Sequence, residues 1–155
     1  MNRKSILLLW CTILAYSSAL LPGIQKAKIY FTLEEAVPQT EKPVMLVFFS
    51  TACSVCWEDL FEMKYFIEKN SLPCEVVGIT RVPREELEPF LEKYSFDHPV
   101  VFDARSRLYR RFKVELEPYK IILVKGAVIY QDDCYQEFLT RREQAKRCLF
   151  QISSR

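Results

Sequence analysis

A run of six consecutive apolar residues constrains the fold of this chain more than any other feature. Residues 44–49 read VMLVFF, which is the length of a strand. An unbroken apolar run is typical of a strand covered on both faces, as in parallel sheets flanked by helices. Residues 75–80 (EVVGIT) form a second run of this type. The sequence therefore predicts an α/β protein with at least two buried strands.

The order of the remaining patterns predicts one mixed sheet. Apolar residues recur at helical spacing over residues 57–70, and residues 29–31 suit a short strand. Residues 121–130 indicate a hairpin with a tight turn at Lys125-Gly126. Asp132 or Asp133 is expected to cap a last helix that ends near Leu149. The order β-α-β-α-β-α-β-β-α places helices on both faces of the sheet, and 155 residues suit a single domain.

Composition excludes several classes of site. The three glycines, Gly23, Gly78 and Gly126, are far apart, so no glycine-rich phosphate loop can be assembled. The single histidine, His98, excludes every zinc site with two or more histidines. Lys plus Arg is 22 and Asp plus Glu is 20, so the chain lacks the basic excess of a nucleic-acid-binding protein. We expect no nucleic-acid partner.

The N-terminus has the pattern of a targeting segment. Arg3 and Lys4 precede sixteen mostly apolar residues, 6–21, which end at Pro22-Gly23. This length lies between the apolar core of a signal peptide and a membrane-spanning helix. Residues 1–22 are therefore predicted to be a signal peptide, cut after Ala19, or an N-terminal membrane anchor. We expect an exported protein, in the periplasm or on the outer face of the cytoplasmic membrane, with residues 23–155 forming its domain.

A cysteine pair, Cys53 and Cys56, lies between the first buried strand and the following helix. Backbone N–H groups at a helix N-terminus favour a thiolate at the first cysteine. The second cysteine, one turn later, is close enough to form a disulfide with the first. The spacing favours thiol-disulfide exchange. A zinc half-site and two inert buried thiols are the alternatives.

Four segments carry a family resemblance. They are residues 44–56 (VMLVFFSTACSVC), 76–79 (VVGI), 98–103 (HPVVFD) and Glu117-Pro118 before the hairpin. Together they resemble the thioredoxin superfamily, and within it the exported TlpA/ResA-like thiol-disulfide oxidoreductases. Residues 33–56 also resemble the thioredoxin domain of the DsbD-type reductant carrier. The resemblance implies a thioredoxin-like, three-layer α/β/α fold with a mixed β-sheet.

The same resemblance implies roles for individual residues. Cys53 is expected to be the exposed nucleophile and Cys56 the resolving thiol. Pro118 is expected to be a cis-proline that faces the pair and presents the backbone of Glu117 to a client chain. Ala52 replaces the tryptophan that usually precedes the first cysteine, and is expected to contact the client with Glu117 and Pro118.

Two acids follow the second cysteine. Asp59 matches an acidic position of the TlpA/ResA-like group, so Glu58 or Asp59 is a candidate proton acceptor for Cys56. The alternative is that both are ordinary acids near a helix N-terminus, where the helix dipole favours them.

These features predict a protein thiol-disulfide oxidoreductase with no bound cofactor and no metal. Ser54 and Val55 bring no positive charge to stabilise the Cys53 thiolate, which favours a reductase or isomerase over an oxidase. Client proteins would include apocytochrome cysteines, as in cytochrome c maturation, and a membrane carrier of DsbD type would supply electrons. A disulfide-donating oxidase is one alternative. The other is a thioredoxin-fold copper chaperone in which His98 joins the two cysteines.

The remaining cysteines and the basic clusters are given structural roles. Cys134 and Cys148 are predicted on the apolar stripe of the last helix, and a bridge from either one to Cys74 stays open. Two groups of cations are interpreted as solvated helix faces, with an acidic docking partner as the second reading: Arg105, Arg107, Arg110, Arg111 and Lys113; and Arg141, Arg142, Lys146 and Arg147.

Overall fold

The computed structural model describes residues 28–38 and 40–154. The elements in chain order are β1 (Ile29–Tyr30), α1 (Leu33–Ala36), β2 (Val44–Phe48), α2 (Ser54–Lys69), β3 (Glu75–Thr80), α3 (Arg84–Lys93), β4 (Val100–Phe102), α4 (Arg107–Arg111), β5 (Tyr119–Val124), β6 (Ala127–Gln131) and α5 (Phe138–Ser153). The expected signal peptide or anchor, residues 1–22, lies outside the described residues. Among the helices that are described, none is long and apolar enough to cross a membrane.

The six strands form one mixed sheet in the order β1-β4-β3-β2-β5-β6. The first four of these are parallel to one another, and β5 runs antiparallel to β2 and β6. Lys125 and Gly126 both have positive φ and form the two-residue turn between β5 and β6. The predicted mixed sheet and terminal hairpin are confirmed.

Helices cover both faces of the sheet, as the apolar run in β2 predicts. Met45 and Val47 pack on one face against residues of α2, α3 and α5. Leu46 and Phe48 pack on the other face against residues of α1 and α4. Because successive side chains of a strand point to opposite faces, a strand with two covered faces needs apolar residues at every position. The three-layer α/β/α architecture is confirmed.

The last helix begins later than the sequence predicts. Glu137 is its N-cap, so the expectation that Asp132 or Asp133 caps it is wrong. The Asp132 carboxylate instead accepts hydrogen bonds from the backbone N–H of Lys120 and from the Tyr130 hydroxyl. Cys134 therefore lies in the connection before α5 and not on the helix stripe. Cys74, Cys134 and Cys148 are free thiols.

Gly78 in β3 allows the Phe49 ring to lie directly against the strand. A Cβ atom added at Gly78 would meet Phe49 Cε1 at 2.8 Å, and that ring is fully buried. Gly78→Ala should therefore lower the free energy of unfolding by about 1–3 kcal/mol, since a packed core resists added volume. The midpoint of urea unfolding measures the effect.

Gly126→Asn is the matched control for this prediction. Gly126 has φ +78° and open space around the added Cβ, and asparagine tolerates this conformation. The control should change stability by less than about 0.5 kcal/mol. Equal losses in the two variants would contradict the packing argument.

Candidate functional site

Cys53 and Cys56 are joined by a disulfide at the N-terminus of α2, with their Cα atoms 5.3 Å apart. Cys53 is the N-cap of the helix, and its sulfur accepts a hydrogen bond from the backbone N–H of Cys56 at 3.2 Å. Cys53 is half-buried, whereas Cys56 is fully buried. Cys53 is thus the more exposed residue of the pair, and Cys56 is protected inside the fold.

The connection from β2 to α2 sets this position. β2 ends at Phe48, and a turn closed by the hydrogen bond from Cys53 N–H to the Ser50 carbonyl (3.3 Å) leads into the helix. The first turn of α2 carries no acidic side chain, and the positive end of the helix dipole lies at Cys53. A thiolate at Cys53 would be favoured there, once the disulfide is reduced. Ala52 and Val55 beside it are exposed.

Asp59 lies one turn further along α2 than Cys56 and is fully buried. Its Oδ2 accepts a hydrogen bond from Lys120 Nζ at 2.7 Å, and its Oδ1 accepts one from Arg142 Nε at 2.7 Å. Residues three apart on a helix lie on the same side, so Asp59 lies on the side of α2 that carries Cys56. Glu58 is exposed at the surface. Of the two candidate acids, only Asp59 is buried, as Cys56 is.

Asp59 belongs to a larger group of buried charges, which we call the ion cluster: Asp59, Lys120, Asp132, Arg141 and Arg142. Lys120 Nζ also lies 3.0 Å from Asp132 Oδ2, and both side chains are fully buried. Arg141 Nη1 lies 3.5 Å from the same Asp132 oxygen. Alternating cations and anions thus connect α2, β5 and α5.

The sequence analysis missed this cluster. Arg141 and Arg142 are not on a solvated helix face as predicted, because α5 turns them toward β5 and α2. Lys146 also pairs with Glu62 of α2 at 2.9 Å, which raises the pKa of the Lys146 ammonium despite partial desolvation. The available signal was Lys120, a charged residue inside the apolar strand YKIILV.

The peptide bond between Glu117 and Pro118 is cis, as the resemblance implies. β5 starts at Tyr119, which pairs with Phe48 at the end of β2. Glu117 and Pro118 therefore lie at the end of the sheet where β2 finishes and the turn to Cys53 begins. Arg141 Nη1 donates a hydrogen bond to the Pro118 carbonyl at 3.0 Å, so the ion cluster also holds this segment.

The Glu117 side chain is held from two sides. Its Oε1 accepts hydrogen bonds from the Tyr109 hydroxyl and from Arg81 Nη2, the latter at 3.3 Å. The pKa of Tyr109 is raised far above its ordinary value. Burial is the largest cause, and the hydrogen bond to Glu117 and the negative charge of Glu117 add to it. Tyr109 therefore stays protonated and remains a hydrogen-bond donor to Glu117.

His98 lies away from the cysteine pair. Its Nε2 is 3.5 Å from Glu68, which is twelve residues beyond Cys56 on α2. At 1.5 Å per residue the separation along the helix is about 18 Å. The structure does not bring His98 together with Cys53 and Cys56. Within residues 28–38 and 40–154, no three His, Cys, Asp or Glu side chains form a group that could hold a metal.

Neither the Cys74 thiol nor the cavity at the start of β2 belongs to the site. Burial raises the pKa of the Cys74 thiol to about 12, which keeps it protonated and unreactive at neutral pH. A cavity of about 780 Å³ lies at the start of β2, where Val44, Leu123 and Arg111 line it. Cys53 follows the opposite end of β2, so this cavity is not part of the site.

Comparison with known proteins agrees with this geometry. The model of the AhpC/TSA family matches residues 24–150. No curated protein matches the chain.

Solved structures with the same fold include the following three bacterial proteins. StoA from Bacillus subtilis is 18% identical, with 72% of this chain and 84% of that chain covered and a TM-score of 0.57. A candidate thiol:disulfide interchange protein DsbE from Chlorobium tepidum is 19% identical, with 73% and 81% covered and a TM-score of 0.62. A secreted disulfide oxidoreductase from Mycobacterium tuberculosis is 16% identical, with 73% and 84% covered and a TM-score of 0.54.

At these identities the structural likeness shows the fold, and the family match covers most of the chain. The chain therefore belongs to the AhpC/TSA family, a family of thioredoxin-like thiol oxidoreductases, and carries a Cys53–Cys56 disulfide at the strand–helix junction of that fold.

Proposed function

We propose that this protein exchanges disulfides with client proteins outside the cytoplasm, through Cys53 and Cys56. One observation carries the proposal: a disulfide at a helix N-terminus pairs a half-buried cysteine residue with a fully buried one. Cys53 is the one that a client can reach. Cys56, which a client cannot reach, is suited to resolve the mixed disulfide.

In the reducing direction the exchange has two steps. The Cys53 thiolate attacks one sulfur of the client disulfide, forms a Cys53–client disulfide and releases the other client sulfur as a thiolate. Cys56 then loses its proton and attacks the Cys53 sulfur, which reforms the Cys53–Cys56 bond and releases the second client thiolate. Two electrons pass to the client, and both client thiolates take up protons.

Asp59 is the carboxylate that we assign as the proton acceptor in the second step. Both Asp59 and Cys56 are fully buried on the same side of α2, while Glu58 is exposed. The Asp59 carboxylate can receive the Cys56 proton, and Lys120 and Arg142 balance its charge when the proton leaves. Asp59 thus serves as the proton acceptor of the buried thiol.

The client is expected to bind along the segment before β5. The Glu117–Pro118 bond lies at the same end of the sheet as Cys53, and Arg141 donates a hydrogen bond to the Pro118 carbonyl. The backbone of Glu117 can pair with an extended client chain by strand addition, and the small side chain of Ala52 leaves room beside Cys53. Ala52, Glu117 and Pro118 form the proposed client-binding surface.

The direction of exchange and the location are further parts of the proposal. Thiolate support at Cys53 comes from backbone N–H groups alone, since Ser54 and Val55 carry no charge, and this favours a reductase or isomerase. A membrane carrier of DsbD type would then supply electrons, and apocytochrome cysteines would be among the clients. Residues 1–22 would direct export as a cleaved signal or an anchor, consistent with the secreted mycobacterial relative of the same fold.

The reduction potential of the Cys53–Cys56 pair tests both the activity and its direction. The purified protein is equilibrated with dithiothreitol or glutathione buffers, alkylated, and read by the mass of the peptide that contains both cysteines. A potential near −270 mV, as in thioredoxin, is expected for a reductant, whereas one near −120 mV, as in DsbA, would identify a disulfide donor. A pair that does not cycle in any buffer would overturn the proposed function.

A further inference from the structure

Arg81 is fixed at the edge of the client-binding surface. Its guanidinium lies over the Tyr109 ring at 4.1 Å, and its Nη2 donates to Glu117 Oε1 at 3.3 Å. Stacking on an aromatic ring orients a guanidinium without using its N–H donors. About half of the side chain, 53%, is still exposed, so donors remain on the solvent side.

Two more cations, Arg105 and Arg107, follow β4 at the end of the sheet where Arg81 follows β3. The backbone N–H of Asp103 donates to the Thr80 carbonyl at 2.8 Å, so the segment after β4 starts next to the residue that precedes Arg81. The Asp103 carboxylate then accepts hydrogen bonds from the backbone N–H groups of Arg107, Leu108 and Tyr109. These bonds fix the start of α4 at the end of the sheet where β4 finishes. We call Arg81, Arg105 and Arg107 the basic rim.

Among the described residues, only Arg81 of the basic rim is paired with a carboxylate of the protein. Arg105 and Arg107 are exposed and form no ion pair within the part of the chain that the structure describes. By contrast, Arg84, Lys120, Arg142 and Lys146 all have a carboxylate partner within 3 Å. The two acids beside the rim are already engaged, because Asp103 accepts backbone N–H groups of α4 and Glu117 accepts bonds from Tyr109 and Arg81. A client that binds along Glu117–Pro118 would therefore meet a positive surface on the α4 side.

We infer that Arg81 selects client segments that carry an acidic side chain next to the reacting cysteine, on the side that faces α4. A client carboxylate can take the remaining N–H donors of the oriented guanidinium, while a basic side chain would be repelled by Arg105 and Arg107, whose charges have no partner among the described residues. The inference rests on the proposed function and names its substrate preference. Arg81 contributes binding only, and the exchange steps are unchanged.

Two peptides test the preference. Each contains one cysteine as a 2-pyridyl disulfide, and they differ only in an Asp or a Lys two residues from it. Attack by Cys53 on the peptide sulfur forms a mixed disulfide and releases 2-thiopyridone, whose absorbance gives the rate. The reduced full-length protein should react about fivefold faster with the Asp peptide at low ionic strength, and the difference should shrink toward unity in about 0.5 M salt.

Two variants locate the effect. Arg81→Gln should remove most of the preference, because it deletes the oriented charge. Arg111→Gln removes a charge from the same helix α4, but Arg111 lines the cavity at the other end of β2. This control should keep the preference. Loss of the preference in both variants would mean that only overall charge matters, and would overturn the inference.

The outcomes separate the inference from the function on which it rests. Equal rates with the two peptides, or a preference that survives Arg81→Gln, would refute the role of Arg81 and leave disulfide exchange standing. If neither peptide releases thiopyridone while Cys53 is reduced, the proposed function and the inference are both refuted.

Discussion

Cys53→Ser should reduce disulfide exchange to the uncatalysed background, whereas Cys56→Ser should accumulate a covalent complex with clients. The serine hydroxyl cannot displace a sulfur, so without Cys53 no mixed disulfide forms. Without Cys56 the mixed disulfide forms and is not resolved, since the fully buried position next to Cys53 holds no second thiol. Non-reducing electrophoresis, followed by mass spectrometry of the complex, measures both effects.

Cys148→Ser is a suitable control for these two variants. Cys148 is a free, partly buried thiol on α5, and desolvation raises its pKa, which leaves it protonated and poorly nucleophilic. This variant should retain wild-type exchange and trap nothing. A complex that forms equally well with Cys53→Ser would show that another thiol is the nucleophile.

Local patterns predict the parts of the fold that depend on neighbouring residues. The continuous apolar run of β2 is explained by two covered faces, and the Lys125-Gly126 turn by the positive φ of both residues. The Cys53 N-cap likewise follows from the junction of a strand with a helix. Each of these features is encoded within a few consecutive residues, so no long-range information is needed.

The ion cluster could not be predicted in the same way. Arg142 and Asp59 are 83 residues apart, and only the packing of α5 on α2 brings them together. The same long-range contacts explain the error at the start of α5, because Asp132 is recruited by Lys120 and Tyr130 and is unavailable as a helix cap. A charge in an apolar strand marks Lys120 as unusual but does not reveal its partners.

Lys120→Met should lower the free energy of unfolding by about 3–5 kcal/mol. Lys120 is fully buried between Asp59 and Asp132, at 2.7 and 3.0 Å from their carboxylates. A methionine side chain fills a similar volume but removes the donor that the two buried carboxylates share. Arg142 and Arg141 stay beside them but do not replace its two bonds, and a buried charged group that loses a partner is costly. Unfolding by urea, followed by circular dichroism, measures the loss.

The exposed ion pair of Lys125 and Glu41 provides a control with the same 2.7 Å distance. Lys125→Met should leave stability almost unchanged, because water solvates the glutamate that remains. Burial, and not the short distance, is then responsible for the effect at Lys120. Similar losses in the two variants would contradict this explanation.

A double-mutant cycle assigns the loss at Lys120 to a particular partner. Asp59→Leu in the Lys120→Met background removes one of the two carboxylates that have lost Lys120. Arg142 then loses its carboxylate partner, but its partly exposed guanidinium can turn toward water. The double variant should therefore be more stable than the sum of the two single losses predicts. Strictly additive losses would place the cost at Asp132 instead. Asp132 lies beside Arg141, which donates a hydrogen bond to the Pro118 carbonyl. In that case the position of the Pro118 segment, and not that of Asp59, would depend on Lys120.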